Sequence, residues 1–369
     1  MHQAQEWPWA SVKRMLVARL DNISDVCLCT PAFAAIRASL LRVHLTLLAS
    51  PGGANLAPLL ADVDEVLAER VVWQDVGGRQ ALDPEREWRL VERLRKGSFA
   101  AAVIFTSFSQ SPYPLAFLLR LAGVPLRAGQ SKESDPGPLT HEVPAPPDAL
   151  HQAERNLHLV ERIGFPAASR SLSQRVPVQA RFSAAARLSA LGLGEGQPFG
   201  LLHAGASCTS RMYDPARYGR AARLLKERLG LTSLLTGDAR DASQVAKVRE
   251  VAGDAAVSLV GQTTLEEFAA LIERAAVVLT NNTSTMHFAD ALRTPEVVLF
   301  AGTELEEQWR PRDTRRRLLR RPTFCSPCYA FVCPYDMECL DIDPEQVFAS
   351  ARELLEGSNT PDWRRHLSQ

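Results

Sequence analysis

The chain has 369 residues, 46% hydrophobic and 23% charged, the balance expected of a soluble globular protein with room for two domains. Lys plus Arg and Asp plus Glu each total 42, so no net field favours nucleic acid as a partner. No apolar run is long enough to span a bilayer, and residues 1–14, with Trp7, Pro8 and Trp9, lack a signal-peptide core, so a cytoplasmic location is expected.

Residues 15–20 read as a short apolar strand, followed by the loop Asp21-Asn22-Ile23-Ser24-Asp25 and a helix from about 30 to 40 with Pro31 in its first turn. Residues 44–48 and 66–72 read as strands, 85–95 as a charged helix and 100–105 as a buried strand. The stretch 130–147 is rich in Pro with Ser and Gly, and reads as a loop that could border a cleft; 151–163 reads as a helix and 171–180 as a connection. The alternation restarts with strands at 199–203, 232–236 and 257–260 and helices at 215–228, 242–252 and 265–274. An apolar strand at 275–279, the polar stretch Thr280 to His287, a helix resuming at His287, a strand at 296–300 and an amphipathic tail helix at 344–355 complete the pattern. Strands alternating with helices imply parallel sheets with crossovers, here as two α/β domains in tandem with the ligand expected in the cleft between them.

Thr280-Asn281-Asn282-Thr283-Ser284-Thr285-Met286-His287 gathers amide and hydroxyl side chains where a strand gives way to a helix. Backbone N–H groups, hydroxyls and a helix N-terminus there suit a phosphate; the alternative is an ordinary capped helix. Ser207 and Arg211, in and after the loop that follows 199–203, add a hydroxyl and a guanidinium suited to a diphosphate. Asp241, after the strand 232–236, either accepts from ribose hydroxyls or caps a helix. Asp25, at the end of the first strand, is either a general base for a substrate hydroxyl or an N-cap. There is no glycine-rich dinucleotide fingerprint and no Gly-Lys-Ser phosphate loop, so neither a dehydrogenase nor a P-loop kinase is expected. The arginines from Arg310 to Arg321 read as a solvated helix face or as a contact for an anion or a membrane surface. Cys325, Cys328, Cys333 and Cys339 have the spacing C-x2-C-x4-C-x5-C, open to a structural zinc or iron, to free thiols or to disulfides. Cys27, Cys29 and Cys208 read as small buried residues.

Taken together, several segments resemble the heptosyltransferase family, glycosyltransferase family 9. They are Arg19-Leu20-Asp21-Asn22-Ile23-Ser24-Asp25-Val26 with Thr30-Pro31, then Gly205-Ala206-Ser207 with Arg211, Tyr213, Pro215 and Tyr218. Gly237, Asp241, Gly261 to Leu265, the Asn282 to His287 stretch, Thr303, Trp309, Pro311 and a linker helix at 151–157 extend the likeness over 15–347. The resemblance implies a GT-B architecture of two Rossmann-like domains. Residues 1–178 would bind the acceptor and 179–343 the nucleotide sugar, with the 344–369 segment packing back on the first domain. It implies inverting, metal-independent transfer of a heptose from an ADP-sugar to a hydroxyl acceptor such as a lipopolysaccharide core or another glycan, with no cofactor required. Asp25 would be the base, and Ser207, Arg211, Asp241, Asn282, Thr283, Ser284, Thr285 and His287 the donor site. The partners implied are an ADP-heptose donor and a lipid-linked or glycan acceptor at the inner face of the membrane, with peripheral membrane contact. The chain departs from the family pattern at Ser24, Asn282 and Ser284, where the family usually has Gly, Asp and Gly, and at Arg211, where it usually has Lys. Alternatives are transfer to protein or a small molecule, a nucleotide-sugar 2-epimerase, and a catalytically weakened nucleotide-binding scaffold.

Overall fold

The computed structural model describes residues 8–75, 80–133, 137–194 and 196–357. Trp7, positions 134–136 of the Pro-rich stretch and positions 358–369 of the tail lie outside the described residues. The chain divides into two compact units, Met1–Ser173 and Gln174–Gln369, so the boundary falls slightly before the expected 178.

In the first unit, β1 (Arg14–Arg19), β2 (His44–Ala49), β3 (Glu65–Ala68), β4 (Ala101–Ile104), β5 (Leu126–Ser131) and β6 (His141–Pro144) form one parallel sheet in the order β3-β2-β1-β4-β5-β6. The chain starts at the centre, winds outward to β3, then crosses to β4 and winds the other way. The reversal between β1 and β4 is a topological switch point, where α/β sheets bind ligands beyond the carboxyl ends of their strands. The central strands are apolar on both faces because helices cover both: Met15, Leu16, Val17, Leu45, Leu47, Ala101 and Val103 are fully buried. The Pro84–Lys96 helix begins where Asp83 accepts from the N–H groups of Glu85 and Arg86, with Pro84 at its first position. Its buried stripe of Leu90, Val91 and Leu94 packs in a core shared with Leu115, Ala116 and Leu119 of the Tyr113–Leu121 helix. The stretch read as a loop from 130 to 147 instead contains the end of β5 and all of β6. β6 is an edge strand of mixed polarity, so it lacks the apolar run that marks a central strand.

The second unit repeats this topology. β7 (Phe199–His203), β8 (Thr232–Thr236), β9 (Ala256–Ser258), β10 (Val277–Asn281), β11 (Glu296–Leu299) and β12 (Arg316–Leu319) stand in the order β12-β11-β10-β7-β8-β9, all parallel, with the switch point between β7 and β10. β12 corrects the reading of the arginine-rich stretch as a helix face. It is a charged edge strand in register with β11, from Glu296↔Arg316 to Leu299↔Leu319. Arginines in and just after this strand are held in ion pairs: Arg317 with Glu353 at 2.9 Å, Arg320 with Glu306 at 3.3 Å, and Arg321 with Asp341.

The Pro344–Glu356 helix belongs to the second unit, whereas the sequence suggested the first. Val347, Phe348, Ala351, Leu354 and Leu355 enter one core with Leu225 of the Pro215–Leu229 helix and with Val277, Leu279, Val297 and Leu299. Each large apolar side chain fully buried in this way contributes about 1.5–3 kcal/mol. No helix among the described residues is long and apolar enough to cross a membrane.

Candidate functional site

The loops beyond β7 and β10 meet at the switch point of the second sheet. Asn281, the last residue of β10 and fully buried, ties them together. Its Nδ2 donates to the carbonyls of Ala204 at 2.9 Å and Gly205 at 3.2 Å, while its Oδ1 accepts from the Tyr213 N–H and the Tyr218 hydroxyl, both at 3.1 Å. Tyr213, Tyr218 and the Gly205 loop are thus brought to one point by one amide.

Only Asn282 and Thr283 separate β10 from the Ser284–Ala291 helix, so Ser284, Thr285 and His287 sit on that helix and not on a loop. Thr283 is the N-cap, with extended backbone, and its side chain makes no capping hydrogen bond. The hydroxyl of Thr285 is fully buried without a hydrogen-bond partner among the described residues. In the first turn the Met286 N–H is taken up by the Thr283 carbonyl at 3.1 Å. The Ser284 and Thr285 N–H groups precede any intrahelical acceptor and, together with these hydroxyls, form a donor cluster at the positive end of a helix. His287 is buried, and burial brings its pKa down to about 4; Asp290 opposes this, while Arg312 and Arg211 add to it. Its imidazole is therefore neutral at pH 7 and offers hydrogen bonding without charge.

Ser207 is exposed in the loop after β7, and Arg211 closes the short turn that follows. The Arg211 guanidinium donates through Nε to Thr303 Oγ1 at 3.2 Å and through Nη2 to Glu304 Oε1 at 2.7 Å. Asn282 is buried and faces the same carboxylate: its Nδ2 donates to Glu304 Oε2 at 3.1 Å, and its Oδ1 accepts from the Ala301 N–H at 3.1 Å. Glu304 was not anticipated. Its neighbours Leu305-Glu306-Glu307 look like the start of a solvated helix, and nothing local signals a partner 93 positions away in the chain. Burial raises the Glu304 carboxyl above its ordinary value, with Arg211 and Asn282 pulling it back in part.

Asp241 joins the same group of loops. Its carboxylate accepts from the Asp238 N–H at 3.0 Å, completing a capping box in which Asp238, not Asp241, accepts the bond of an N-cap side chain. The carboxylate also rests against Gly205 and Gly237, where any Cβ would collide with it.

In the first unit the corresponding switch point carries carboxylates. Arg19, at the end of β1, is completely buried, with Nη2 donating to Asp25 Oδ1 at 2.9 Å. Its Nε lies 2.7 Å from Asp21 Oδ2, an ion pair whose angle falls outside hydrogen-bond geometry. The expected loop after β1 is a short helix, Ile23–Cys27, whose N-cap is Asn22. Asp25 stands at its third position and accepts from the Asn22 N–H at 3.2 Å, so it is not the cap itself. Burial raises the Asp25 carboxyl to about 6, the Arg19 charge opposing the rise and Asp21 adding to it. Asp21 is fixed in turn by Gln110, beyond β4, whose Nε2 donates to its Oδ1 at 2.6 Å. The Gln152–Arg162 helix braces the arrangement from behind: Asn156 donates to the Leu28 carbonyl at 2.9 Å, and Gln152 to the Thr106 carbonyl at 3.1 Å.

Cys27, Cys29 and Cys208 are buried, as expected. Cys325, Cys328 and Cys333 are half-buried and Cys339 is buried, all as free thiols. Burial pushes the Cys339 thiol up, and Cys325, Cys328 and Cys333 are near enough to contribute. Among the described residues, however, no group of three or more His, Cys, Asp or Glu side chains is disposed to hold a metal. The segment bearing these thiols is tied by its backbone to the loops that follow β7 and β11. Cys328 N–H donates to the Gly302 carbonyl and Tyr329 N–H to the Thr303 carbonyl, each at 3.0 Å. From the other side Ser210 donates through its N–H to the Phe331 carbonyl at 3.3 Å and through its hydroxyl to the Ala330 carbonyl.

Two doubly wound parallel units, one with a carboxylate at its switch point and the other with a guanidinium, hydroxyls and a helix N-terminus, define an α/β protein of the GT-B glycosyltransferase class. A family model described as "Glycosyltransferase family 9 (heptosyltransferase)" matches residues 87–338, more than half of the sequence, and the chain belongs to that family. The fold is similar to that of the family 9 glycosyltransferase of Veillonella parvula DSM 2008, with a TM-score of 0.78 at 19% identity over 94% of this chain and 98% of that one. It is similar to E. coli ADP-heptose lps heptosyltransferase II, with a TM-score of 0.71 at 19% identity over 93% and 98%. It is likewise similar to E. coli heptosyltransferase WaaC, determined with ADP, with a TM-score of 0.69 at 14% identity over 92% and 99%. No curated protein sequence matches the chain.

Proposed function

We propose that this glycosyltransferase transfers a heptose, with inversion and without a catalytic metal, from an ADP-activated donor to a hydroxyl of a glycan such as a lipopolysaccharide core. The observation that carries this reading is Asp25, a buried carboxylate beyond the carboxyl end of β1 whose pKa of about 6 suits a base near neutral pH. The acceptor oxygen attacks the anomeric carbon of the donor as the bond from that carbon to the diphosphate breaks. The acceptor proton passes to Asp25. Arg211, Ser207, Ser284, Thr283 and the helix N-terminus stabilise the departing ADP, while Asn282, Thr285, Asp241 and His287 shape the donor site. Support for an adenine nucleotide comes from the E. coli relatives, one named for ADP-heptose and one solved with ADP. A lipid-linked acceptor places the enzyme in the cytoplasm, at the inner face of the membrane and in peripheral contact with it.

Asp25→Ala is expected to abolish release of ADP from ADP-heptose in the presence of acceptor while donor affinity, measured by calorimetry, stays near that of the wild type. Full turnover by the variant would remove Asp25 as the base. A structural zinc or iron at Cys325, Cys328, Cys333 and Cys339 is a separate proposal with no part in transfer, and it requires the thiols to converge more closely than they stand here. Metal analysis of protein purified without chelator decides it: absence of both zinc and iron ends the idea.

A further inference from the structure

We infer that Glu304 is a specificity-determining residue of the donor site, a fixed carboxylate that accepts hydroxyls of the donated sugar and so selects a neutral sugar over an acidic one. The inference rests on the donor site proposed above and names what that site demands of the sugar. Glu304 lies beyond the carboxyl end of β11, beside the switch point, and its side chain is 15% exposed. Both oxygens are already engaged, Oε1 by Arg211 at 2.7 Å and Oε2 by Asn282 at 3.1 Å. An ionised carboxylate offers about four lone-pair directions, so two partners leave about half of its acceptor capacity unused.

Its partners are themselves immobilised. The Ala301 N–H holds Asn282, Thr303 holds Arg211, and the backbone bonds from Cys328 and Tyr329 hold Gly302 and Thr303. The carboxylate therefore does not have to be ordered when a ligand arrives. A site meant only for a diphosphate gains nothing from a negative charge in its wall, because that charge repels the ligand. Hydroxyl donors reverse the balance. Burial still outweighs Arg211 and Asn282 at this carboxyl, and hydrogen bonds from a polyol would supply the stabilisation that the protein does not. A sugar carboxylate placed there would meet like charge in a poorly solvated position.

Calorimetry with ADP and with ADP-heptose, on the wild type and on Glu304→Gln, tests this. The ratio of the two dissociation constants measures what the sugar adds. The expected result is a loss of about tenfold in that ratio for the variant, the scale of a hydrogen bond to a charged group, with ADP itself bound as well or better. A parallel loss for both ligands would mean that Glu304 only positions Arg211, and an unchanged ratio would place it outside the sugar site; either overturns the inference while the donor site itself stands. Failure of the wild type to bind either ligand would overturn both readings. Glu304→Asp, which keeps the charge but withdraws it by one methylene, provides a second variant. It should keep ADP affinity and lose part of the ratio, and full retention of the ratio counts against the inference.

Discussion

The two units share one topology and differ in what stands at the turn where their winding reverses. Beyond β1 the chain places Arg19, Asp21 and Asp25, so a buried cation holds two carboxylates at hydrogen-bond and ion-pair distance. Beyond β7 and β10 it places Arg211, Thr283, Ser284 and Thr285, with Asn281 closing the gap between the loops. The scaffold supplies only a place where side chains converge past the strand ends; a handful of residues decides which charges and hydrogen-bonding groups stand there. Arginine serves at both, but in opposite senses. Arg19 is sealed from solvent and opposes the rise in the pKa of Asp25, whereas Arg211 keeps 22% of its side chain exposed.

That contrast can be broken experimentally. The largest effect is expected at the first unit, where Asp25→Asn should lower kcat by roughly 10²–10⁴ without a matching change in donor dissociation constant. The converse holds for Arg211→Ala, which should weaken ADP binding by about 10- to 100-fold, the range for charge-assisted hydrogen bonds. A variant at either position that moved both parameters equally would erase the division of labour between the units.

A smaller effect concerns pH. Asp25 must be ionised to act as a base, and its pKa is raised to about 6, so the rate should fall as pH drops through about 6 and level off above it. Arg19 opposes the rise, so Arg19→Met should move this acid limb to higher pH, and a pH profile of kcat/KM would show the displacement. A limb that stayed in place would show that the guanidinium does not govern the carboxylate.

Much of this was readable from the chain alone, for reasons that differ by element. The Thr232–Thr236 strand and the Ala242–Ala252 and Leu265–Arg274 helices match the expected bounds because apolar periodicity and punctuation by Gly or Thr agree there. Asp25 and Arg211 stood out as candidates because each is a charged residue in the segment that follows an apolar strand. β12 was not legible: its arginines imitate a solvated surface, and only pairing with β11 makes them a strand. The tail helix had a clear apolar face, but such a face states that a helix is buried and not against what. Glu304 acquires its role through Arg211 and Asn282, and neither partner is near it in sequence.

The thiol-bearing segment has a consequence for how the molecule can change over time. It props the loops after β7 and β11 through its own peptide groups at Cys328, Tyr329, Ala330 and Phe331. The outward side chains of Phe324, Phe331 and Val332 take no part in that brace. Mutation can therefore redecorate this surface, and with it whatever the enzyme touches there, without loosening the loops behind it.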